Sequence, residues 1–131
     1  MIVVDSSAIV AIFQDEEDAP IYAQAIESAD SLVISAVNAH ETAMILRARH
    51  GPEAEAQFWH YLDTNGFEIA AFDRDQARAA SEAFGRYGKG IHPKARLNLA
   101  DCAAYAVARS LSVPLLFKGD DFANTDTEAW R

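Results

Sequence analysis

Short apolar runs alternate along this chain with longer segments in which apolar residues recur every three or four positions. The first run, at 2–4, is β-branched and does not alternate with polar residues, which is typical of a strand buried on both faces of a sheet. The apolar runs predict four strands, at 2–4, 32–34, 67–72 and 113–117. The helical spacing predicts six helices, at 6–13, 18–28, 36–50, 53–64, 74–87 and 100–111. This order indicates an α/β fold built on a small, mostly parallel sheet.

Polar residues and glycines mark the ends of several predicted helices. Ser35 is placed to cap the third helix, and Gly51 followed by Pro52 ends it. Asp73, with Gln76 three positions later, resembles a capping box. The glycine-rich segment 85–93 is predicted to be a loop, and the residues after 117 a short tail. Because no repeat or linker interrupts the sequence, we expect one domain spanning residues 1–131.

Composition and charge narrow the class of protein. Half of the residues are hydrophobic and the formal net charge is −9, which indicates an acidic globular protein and argues against general attraction to nucleic acid. The N-terminal apolar run stops at Asp5, so we expect no signal peptide. No stretch approaches the roughly 20 apolar residues that cross a bilayer. The single Cys102 fits a reducing compartment, and we expect a cytoplasmic protein without a membrane partner.

Four acidic residues at the edges of different predicted elements are the strongest functional signal. Asp5 follows the first strand, Asp120 follows the last one, and Glu41 and Asp101 lie in the first turns of helices. Ligands of parallel sheets bind beyond the carboxyl ends of the strands, so the four positions are compatible with one shared site. Converging carboxylates disfavour each other's ionisation unless a cation lies among them. Oxygen ligands alone favour Mg²⁺ or Mn²⁺.

Ordinary structural roles compete with this interpretation at several of these positions. Asp5 is also a good N-cap for the helix that follows it. An aspartate near a helix start, such as Asp101, is favoured by the helix dipole. Asp120 and Asp121 follow Gly119, which is common turn chemistry. Spacing does not decide which of these two points inward; we favour Asp120 and keep Asp121 as a second candidate.

Glu41 has the most unusual surroundings of the four acids. It shares a helical face with Val37 and Ile45, four positions away on either side, and with Met44. A solvated glutamate is expected on the opposite face. We therefore expect Glu41 to lie on the face that points toward the core, where an ionised carboxylate needs a metal ion or an arginine as its partner.

Other catalytic motifs are incomplete. The segment from His40 to Met44 begins like the zinc motif H-E-x-x-H, but its second histidine is missing, so zinc hydrolysis is rejected. No G-x-S-x-G, Walker A or G-x-G-x-x-G pattern is present, which disfavours an esterase, an NTPase or a dinucleotide site. A phosphatase of the haloacid dehalogenase type is disfavoured because Ser7 stands where a second aspartate is needed.

A basic segment directly precedes Asp101. It carries four cationic residues with no acidic residue among them: Arg86, Lys89, Lys94 and Arg96. Beside a cluster of carboxylates, such a strip is suited to hold a phosphate backbone that the acids alone would repel. A solvated basic loop is the competing interpretation. Five aromatic residues are expected in the core rather than as platforms for nucleobases: Phe58, Trp59, Phe67, Phe72 and Phe84.

The acidic segments, taken in order, resemble those of the PIN-domain nucleases and more narrowly the VapC toxins of bacterial toxin–antitoxin pairs. The matching stretches are 2–8, 35–41, 97–102 with 105–106, and 115–122 with 125–126. A single D-S-S or G-D-D is weak evidence, whereas four pieces with family-like spacing over nearly the whole chain are strong together. One small departure is Leu99-Ala100, which stands where relatives often carry a glycine before the aspartate.

What the resemblance implies is a three-layer α/β/α sandwich that cleaves RNA with Mg²⁺ or Mn²⁺. By position, Asp5, Glu41 and Asp101 correspond to the core carboxylates and Asp120 to the fourth acid. The implied roles are that Asp5 and Asp101 hold one ion, Glu41 orients its water, and Asp120 assists a second ion. Ser7 takes the place of a small hydroxyl residue that steadies this water. Attack by water would leave 5′-phosphate and 3′-hydroxyl ends.

The resemblance also implies partners. These are a cognate antitoxin, a second copy of the chain in a homodimer and in a toxin–antitoxin hetero-oligomer, and a structured RNA substrate such as tRNA or rRNA. The alternative function is a catalytically silent PIN-like module that binds RNA or protein without cutting. The full set of carboxylates argues against that alternative, because binding alone does not need it.

Overall fold

The computed structural model describes residues 1–130, in which four strands and six α-helices alternate. Their bounds follow the apolar pattern closely, and the chain then makes a 3₁₀ turn at Phe122–Asn124. In chain order the elements are β1 (Ile2–Val4), α1 (Ser6–Phe13), α2 (Ala19–Ser28), β2 (Leu32–Ser35), α3 (Ala36–His50), α4 (Pro52–Thr64), β3 (Phe67–Ala70), α5 (Arg74–Tyr87), α6 (Leu99–Leu111) and β4 (Leu115–Leu116).

The four strands form one parallel sheet in the order β3-β2-β1-β4. Strand β1 is therefore interior, with Val3 paired to Val33 on one side and to Leu115 on the other. The expectation of an α/β fold with a small parallel sheet is confirmed, and every pairing in it is parallel. The register places Asp5, the residue after β1, near the middle of the carboxyl edge of the sheet.

Hydrophobic residues cover both faces of this sheet. Neighbouring residues of a strand point to opposite faces, and Ile2 and Val4 accordingly pack in one buried cluster while Val3 packs in another. The first cluster includes side chains of α1, α3 and α4, and the second includes side chains of α5 and α6. Helices thus lie on both sides of the sheet, which confirms the three-layer α/β/α arrangement.

Two predicted strands are shorter in the structure. Strand β3 ends at Ala70 instead of residue 72, and β4 comprises only Leu115 and Leu116. At β4, the backbone N–H of Val113 still bonds the carbonyl of Ala108 in α6, so the chain is leaving the helix there. Beyond β4, the segment predicted to be a simple tail returns to the sheet edge, where Leu115 exchanges backbone hydrogen bonds with residues 128 and 130.

The helix starts are capped largely as predicted. Ser35 accepts a hydrogen bond from the backbone of Val37, and α4 begins at Pro52. The predicted capping box at Asp73 is only half formed. Asp73 accepts from the backbone N–H of Gln76, but the Gln76 side chain donates to Ser110 on α6 instead of returning to the cap. The helix that follows ends at Tyr87, so the predicted loop starts later than residue 85.

The aromatic residues divide between core and surface. Phe58 is fully buried, whereas Trp59, Phe72 and Phe84 are between 37% and 41% exposed. The prediction that these three residues lie in the core is therefore wrong. Phe72 and Phe84 line an apolar groove of about 470 Å³ together with Leu99. Within residues 1–130, no helix has the length and apolarity that a membrane crossing requires.

We expect Phe58→Ala to lower the free energy of unfolding by about 3–5 kcal/mol, because it leaves a cavity in a packed core. Phe58 is fully buried and meets the ring of Phe13 edge-on, with 6.2 Å between centroids. The neighbouring Trp59→Ala is the matched control and should cost clearly less, since Trp59 is 37% exposed. Urea unfolding of both variants measures the difference; equal losses would contradict this description of the core.

Candidate functional site

A cleft of about 360 Å³ opens at the carboxyl end of β1, between α1 and α3. Three of the four acids favoured from the sequence, Asp5, Glu41 and Asp101, line it from three separate segments. The other lining residues are Ser6, Ser7, Val10, Gln14, Glu16, Ile45, Arg49 and Lys118. The expectation that carboxylates from distant parts of the sequence meet at this edge of the sheet therefore holds for these three.

Asp5 is buried and fully engaged in hydrogen bonds. Its Oδ2 accepts from the backbone N–H of Ser7 at 3.0 Å and from the Ser7 hydroxyl at 2.6 Å. Its Oδ1 accepts from the side-chain amide of Asn38 at 3.2 Å. The Ser7 hydroxyl in turn accepts from the backbone N–H of Lys118 at 2.9 Å. Asp5 is thus an N-cap of α1 and also a carboxylate held in one orientation at the cleft, so capping does not remove it from the candidate site.

Asn38 is the central residue that sequence reasoning missed. It is completely buried, and its Nδ2 lies within 3.2 Å of Asp5 Oδ1, 3.0 Å of Ser6 Oγ and 3.2 Å of the Ala100 carbonyl. One side chain on α3 therefore ties the end of β1, the start of α1 and the start of α6. A polar residue on the same helical face as Thr42 and Leu46, both buried, was the signal available in the sequence.

Asp101 combines a capping role with a position in the cleft. It forms a complete capping box with Asn98, in which Asp101 Oδ2 accepts from the Asn98 backbone N–H at 3.0 Å. Burial raises its pKa to about 7, with further contributions from the charges of Asp5, Asp121 and Glu41. Burial likewise raises the pKa of Asp5 to about 6, against the lowering effect of its hydrogen bonds to Ser7. The cleft therefore carries more negative charge than its own donors offset.

Glu41 lies on the rim of the cleft instead of the core face of its helix. It is partly buried, its neighbour Ile45 is also partly buried, and Met44 is 54% exposed. The prediction that this face points into the core is wrong, because the buried face of α3 carries Asn38, Thr42 and Leu46. Glu41 is also the sixth residue of α3, so it lies in the second turn and not in the first. It still faces Asp5 across the cleft.

The two C-terminal candidates, Asp120 and Asp121, lie outside the lining of the cleft. Asp120 is exposed, and its backbone carbonyl accepts hydrogen bonds from Ala123 and Asn124. Asp121 is partly buried and close enough to Asp101 to raise the pKa of that residue. Of the two, Asp121 is the acid that the fold brings nearer to the cleft.

The donor chemistry of the cleft fits a hard divalent cation. Its acids are carboxylates, whose oxygens suit Mg²⁺ and Mn²⁺. A bound cation would favour the ionised forms of Asp5 and Asp101, whose pKa values are raised by burial and, to a smaller extent, by neighbouring carboxylates. The acids do not form a finished cage. Among residues 1–130, no three His, Cys, Asp or Glu side chains are grouped closely enough to hold a metal ion.

Two cations on the rim of the cleft were not predicted. Lys118 Nζ lies 2.6 Å from Glu16 Oε1 and 3.0 Å from Asp18 Oδ1, and these contacts raise the pKa of Lys118 and lower those of both acids. Arg49 Nη1 donates to Gln14 Oε1 at 3.0 Å. Lys118 is thus already paired with carboxylates, whereas the partner of Arg49 is a neutral amide.

The basic segment before Asp101 does not line the cleft. Arg86 lies against the ring of Tyr87, 4.9 Å from its centroid, and its guanidinium is 3.7 Å from Asp126. Lys89, Lys94 and Arg96 are exposed. The loop that carries them is organised by His92, whose Nδ1 accepts from the backbone N–H groups of residues 94 and 95.

Sequence comparison places the chain in a family of nucleases. The family model of the PIN domain matches residues 2–128. The ribonuclease VapC42 of Mycobacterium tuberculosis is 43% identical over 124 residues, which are 95% of either chain. The ribonuclease VapC30 of the same organism is 40% identical over 95% of this chain and 94% of its own.

Solved structures agree on the fold. The crystal structure of Mycobacterium tuberculosis VapC20, a sarcin–ricin loop cleaving toxin, superposes with a TM-score of 0.83 at 19% identity and covers 100% of this chain and 99% of its own. A toxin–antitoxin complex from Klebsiella pneumoniae gives a TM-score of 0.72 at 21% identity, over 96% and 93% of the two chains.

The chain therefore belongs to the PIN-domain family. Within this class, the chain belongs to the VapC ribonucleases, the toxins of toxin–antitoxin systems. The resemblance stated from the sequence is confirmed, and so is its implication that the protein is an endoribonuclease.

Without divalent ions, we expect the Asp101→Asn variant to be more stable than the wild type at pH 8 and to lose this advantage at pH 5. The pKa values of Asp5 and Asp101, about 6 and about 7, lie above those of an unfolded chain, about 4. The folded wild type therefore takes up protons first and is stabilised as the pH falls through this window. Thermal unfolding in EDTA at both pH values measures the difference, and a constant difference would contradict the raised pKa values.

We expect Asn38→Ala to lower the free energy of unfolding by about 2 kcal/mol, because several buried polar groups lose a donor at once. Thr42→Val is the matched control. Thr42 is equally buried, but its hydroxyl bonds only the Asn38 carbonyl in the same helix, at 2.7 Å. Chemical unfolding of the two variants compares them, and an equal loss would remove the special role of the Asn38 amide.

Proposed function

We propose that this endoribonuclease cleaves structured RNA at the cleft, with Asp5, Glu41 and Asp101 as the carboxylates that hold Mg²⁺ or Mn²⁺. The observation that carries the proposal is that these three acids, which are far apart in sequence, open into one cleft with raised pKa values at two of them. When bound, a divalent cation supplies positive charge beside the phosphate and lowers the pKa of water toward neutrality.

The residues of the chain then have separate tasks. Ser7 and Asn38 hold the two oxygens of Asp5 in place, so Asp5 is the carboxylate that is positioned before any ligand binds. Asp101 presents its carboxylate from the first turn of α6, where the capping box fixes its direction. Glu41, on the rim, would orient the water that attacks the phosphate. Asp120 or Asp121 supplies the fourth acid, and the proximity of Asp121 to Asp101 favours Asp121.

The substrate that we propose is tRNA or rRNA. VapC20 of Mycobacterium tuberculosis, which has the same fold, is a toxin that cleaves the sarcin–ricin loop, which makes this loop the first substrate to try. Lys89, Lys94 and Arg96 are exposed beside the helix that carries Asp101 and are available to contact phosphates. Arg86 is less available, because Asp126 and Tyr87 already engage it.

We further propose that an antitoxin and a second copy of the chain are its protein partners. The Klebsiella pneumoniae structure is a toxin–antitoxin complex of the same fold, and a basic antitoxin side chain would pair well with the carboxylates of the cleft. The apolar groove at Phe72, Phe84 and Leu99 is a surface suited to a homodimer.

We also propose a cytoplasmic location, which the single free Cys102 and an RNA substrate favour. Residues 1–131 are proposed to act as one domain.

We expect purified wild-type protein, freed of antitoxin, to cut tRNA, rRNA or a sarcin–ricin loop RNA only with Mg²⁺ or Mn²⁺. Asp101→Asn should lower the rate at least about a hundredfold, since a site that loses a charged ligand binds its metal poorly. Asp73→Asn, which changes a capping aspartate outside the cleft, is the control and should retain activity. Gel analysis of labelled RNA should find 5′-phosphate ends.

Three results would count against this proposal. Equal cleavage by wild type and Asp101→Asn would identify a contaminating ribonuclease. Products with 2′,3′-cyclic phosphate ends would exclude attack by water. RNA that binds but stays intact with either metal would favour the silent binding module instead.

A further inference from the structure

The groove between α1 and α3 continues well beyond the acidic end of the cleft. On α3, Glu41, Ile45 and Arg49 recur every four residues and form one stripe along the groove. Val10 of α1 and Gln14, the C-cap residue of that helix, form the opposite wall. Because an α-helix rises about 1.5 Å per residue, the eight positions from Glu41 to Arg49 span about 12 Å. The groove thus has Asp5, Glu41 and Asp101 at one end and an apolar middle. At the other end, Arg49 contacts Gln14, whose Nε2 donates to Glu16 Oε2 at 3.3 Å.

The charge of Arg49 is not offset by an acid. Within residues 1–130, the ion pairs formed by lysine and arginine side chains do not include Arg49. Its guanidinium instead donates to the neutral Oε1 of Gln14, which holds it across the end of the groove. Lys118, the other cation on the lining, lies between Glu16 and Asp18. Arg49 is therefore the cation of this groove that remains available to an anion.

The dipole of α3 explains why Arg49 is favourable near the end of this helix, but it does not explain why the Arg49 side chain points to the groove. Cationic side chains in the last turn of a helix are stabilised by the helix dipole, and α3 carries Arg47, Arg49 and His50 there. Arg47 shows the alternative, since it turns away to pair with Glu55 at 3.0 Å. Arg49, two residues later, points to the groove and donates a hydrogen bond to Gln14 at the end of α1.

We propose that Arg49 binds a phosphate of the RNA strand beside the one that is cut. An arginine presents a planar set of donors that matches phosphate oxygens. The distance of about 12 Å along α3 separates it from Glu41, so the two residues serve different phosphates. A cation at this end also offsets the repulsion that an acidic cleft exerts on RNA. Arg49 is then a substrate-binding residue, and Gln14 is the residue that positions it.

This inference rests on RNA being the substrate, and it is tested by binding so that it does not depend on cleavage. Each variant is made in the Asp101→Asn protein, and its Kd for end-labelled bulk tRNA is measured by filter binding over a series of KCl concentrations. Arg49→Gln should raise the Kd about tenfold at low salt, as for one lost hydrogen bond to a charged group. The slope of log Kd against log [KCl] should fall by about 0.7, the value for one phosphate contact with a single strand.

Variants of Gln14 separate the charge of Arg49 from the presence of its side chain. Gln14→Glu leaves Arg49 intact but pairs it with a carboxylate, so it should weaken binding about as much as Arg49→Gln. Gln14→Ala leaves the charge free and should have a smaller effect. Arg78→Gln is the matched control, because Arg78 is an exposed arginine of α5 that does not line the groove.

Each outcome bears on the proposal. Unchanged binding and an unchanged salt slope in Arg49→Gln would overturn the proposal. If Arg78→Gln changed the Kd and the salt slope as much as Arg49→Gln does, the effect of Arg49 would be a general effect of net charge and the proposal would be wrong. Weaker binding in both Arg49→Gln and Gln14→Glu, with Arg78→Gln unchanged, would establish the contact even if wild-type protein cut no RNA.

Discussion

The buried amide of Asn38 is the contact on which the geometry of the site depends. It is a neutral donor placed where two carboxylate-bearing segments approach, and it joins Asp5 and Ser6 to the carbonyl that precedes Asp101. A charged donor here would neutralise the acids and compete with any cation. A neutral amide holds the segments together while leaving their negative charge in place. Its own Oδ1 has no hydrogen-bond partner among the described residues, which is an unusual cost for a buried amide.

That cost is acceptable because the rest of the fold is stabilised independently of the site. Two apolar clusters, one on each face of the sheet, bury the strands β1, β2 and β4, whereas β3 at the edge is partly exposed. The sheet ends at the carboxyl edge, and the unfavourable electrostatics are confined to the first residues beyond it. The raised pKa values of Asp5 and Asp101 result from burial and from neighbouring carboxylates at this edge. A bound cation would lower these pKa values, whereas folding alone raises them.

The distribution of cations reconciles an acidic protein with an RNA substrate. A net charge of −9 opposes RNA at long range, yet screening limits that effect to about 8 Å at physiological salt. Contacts at the groove are therefore governed by nearby residues. Lys118 is held by Glu16 and Asp18 and serves mainly to fix its own segment, whose backbone reaches Ser7. Arg49, paired only with an amide, keeps its charge available.

Local signals in the chain were enough to predict the sheet and most of the helices. Continuous β-branched runs indicate strands buried on both faces, and capping residues such as Ser35 mark helix starts, because both depend on neighbours within a few positions. The same reasoning brought Asp5 and Asp101 to one edge of the sheet, since residues that follow parallel strands or open the adjoining helices lie there. Glu41 reaches the cleft from the second turn of α3.

Contacts between distant segments were decided only by the tertiary structure. The face of α3 that packs inward depends on how the helix lies on the sheet, so Glu41 was wrongly expected on the core face and Asn38 was overlooked. Strand β4 starts only at Leu115 because the backbone N–H of Val113 still bonds the carbonyl of Ala108 in α6. No local pattern predicts that residues 128 and 130 form backbone hydrogen bonds with Leu115. The sequence by itself determined the elements and the chemistry of the acids. The tertiary structure decided which side chains meet, because hydrogen bonds across 33 positions, such as that from Asn38 to Asp5, have no periodicity to reveal them.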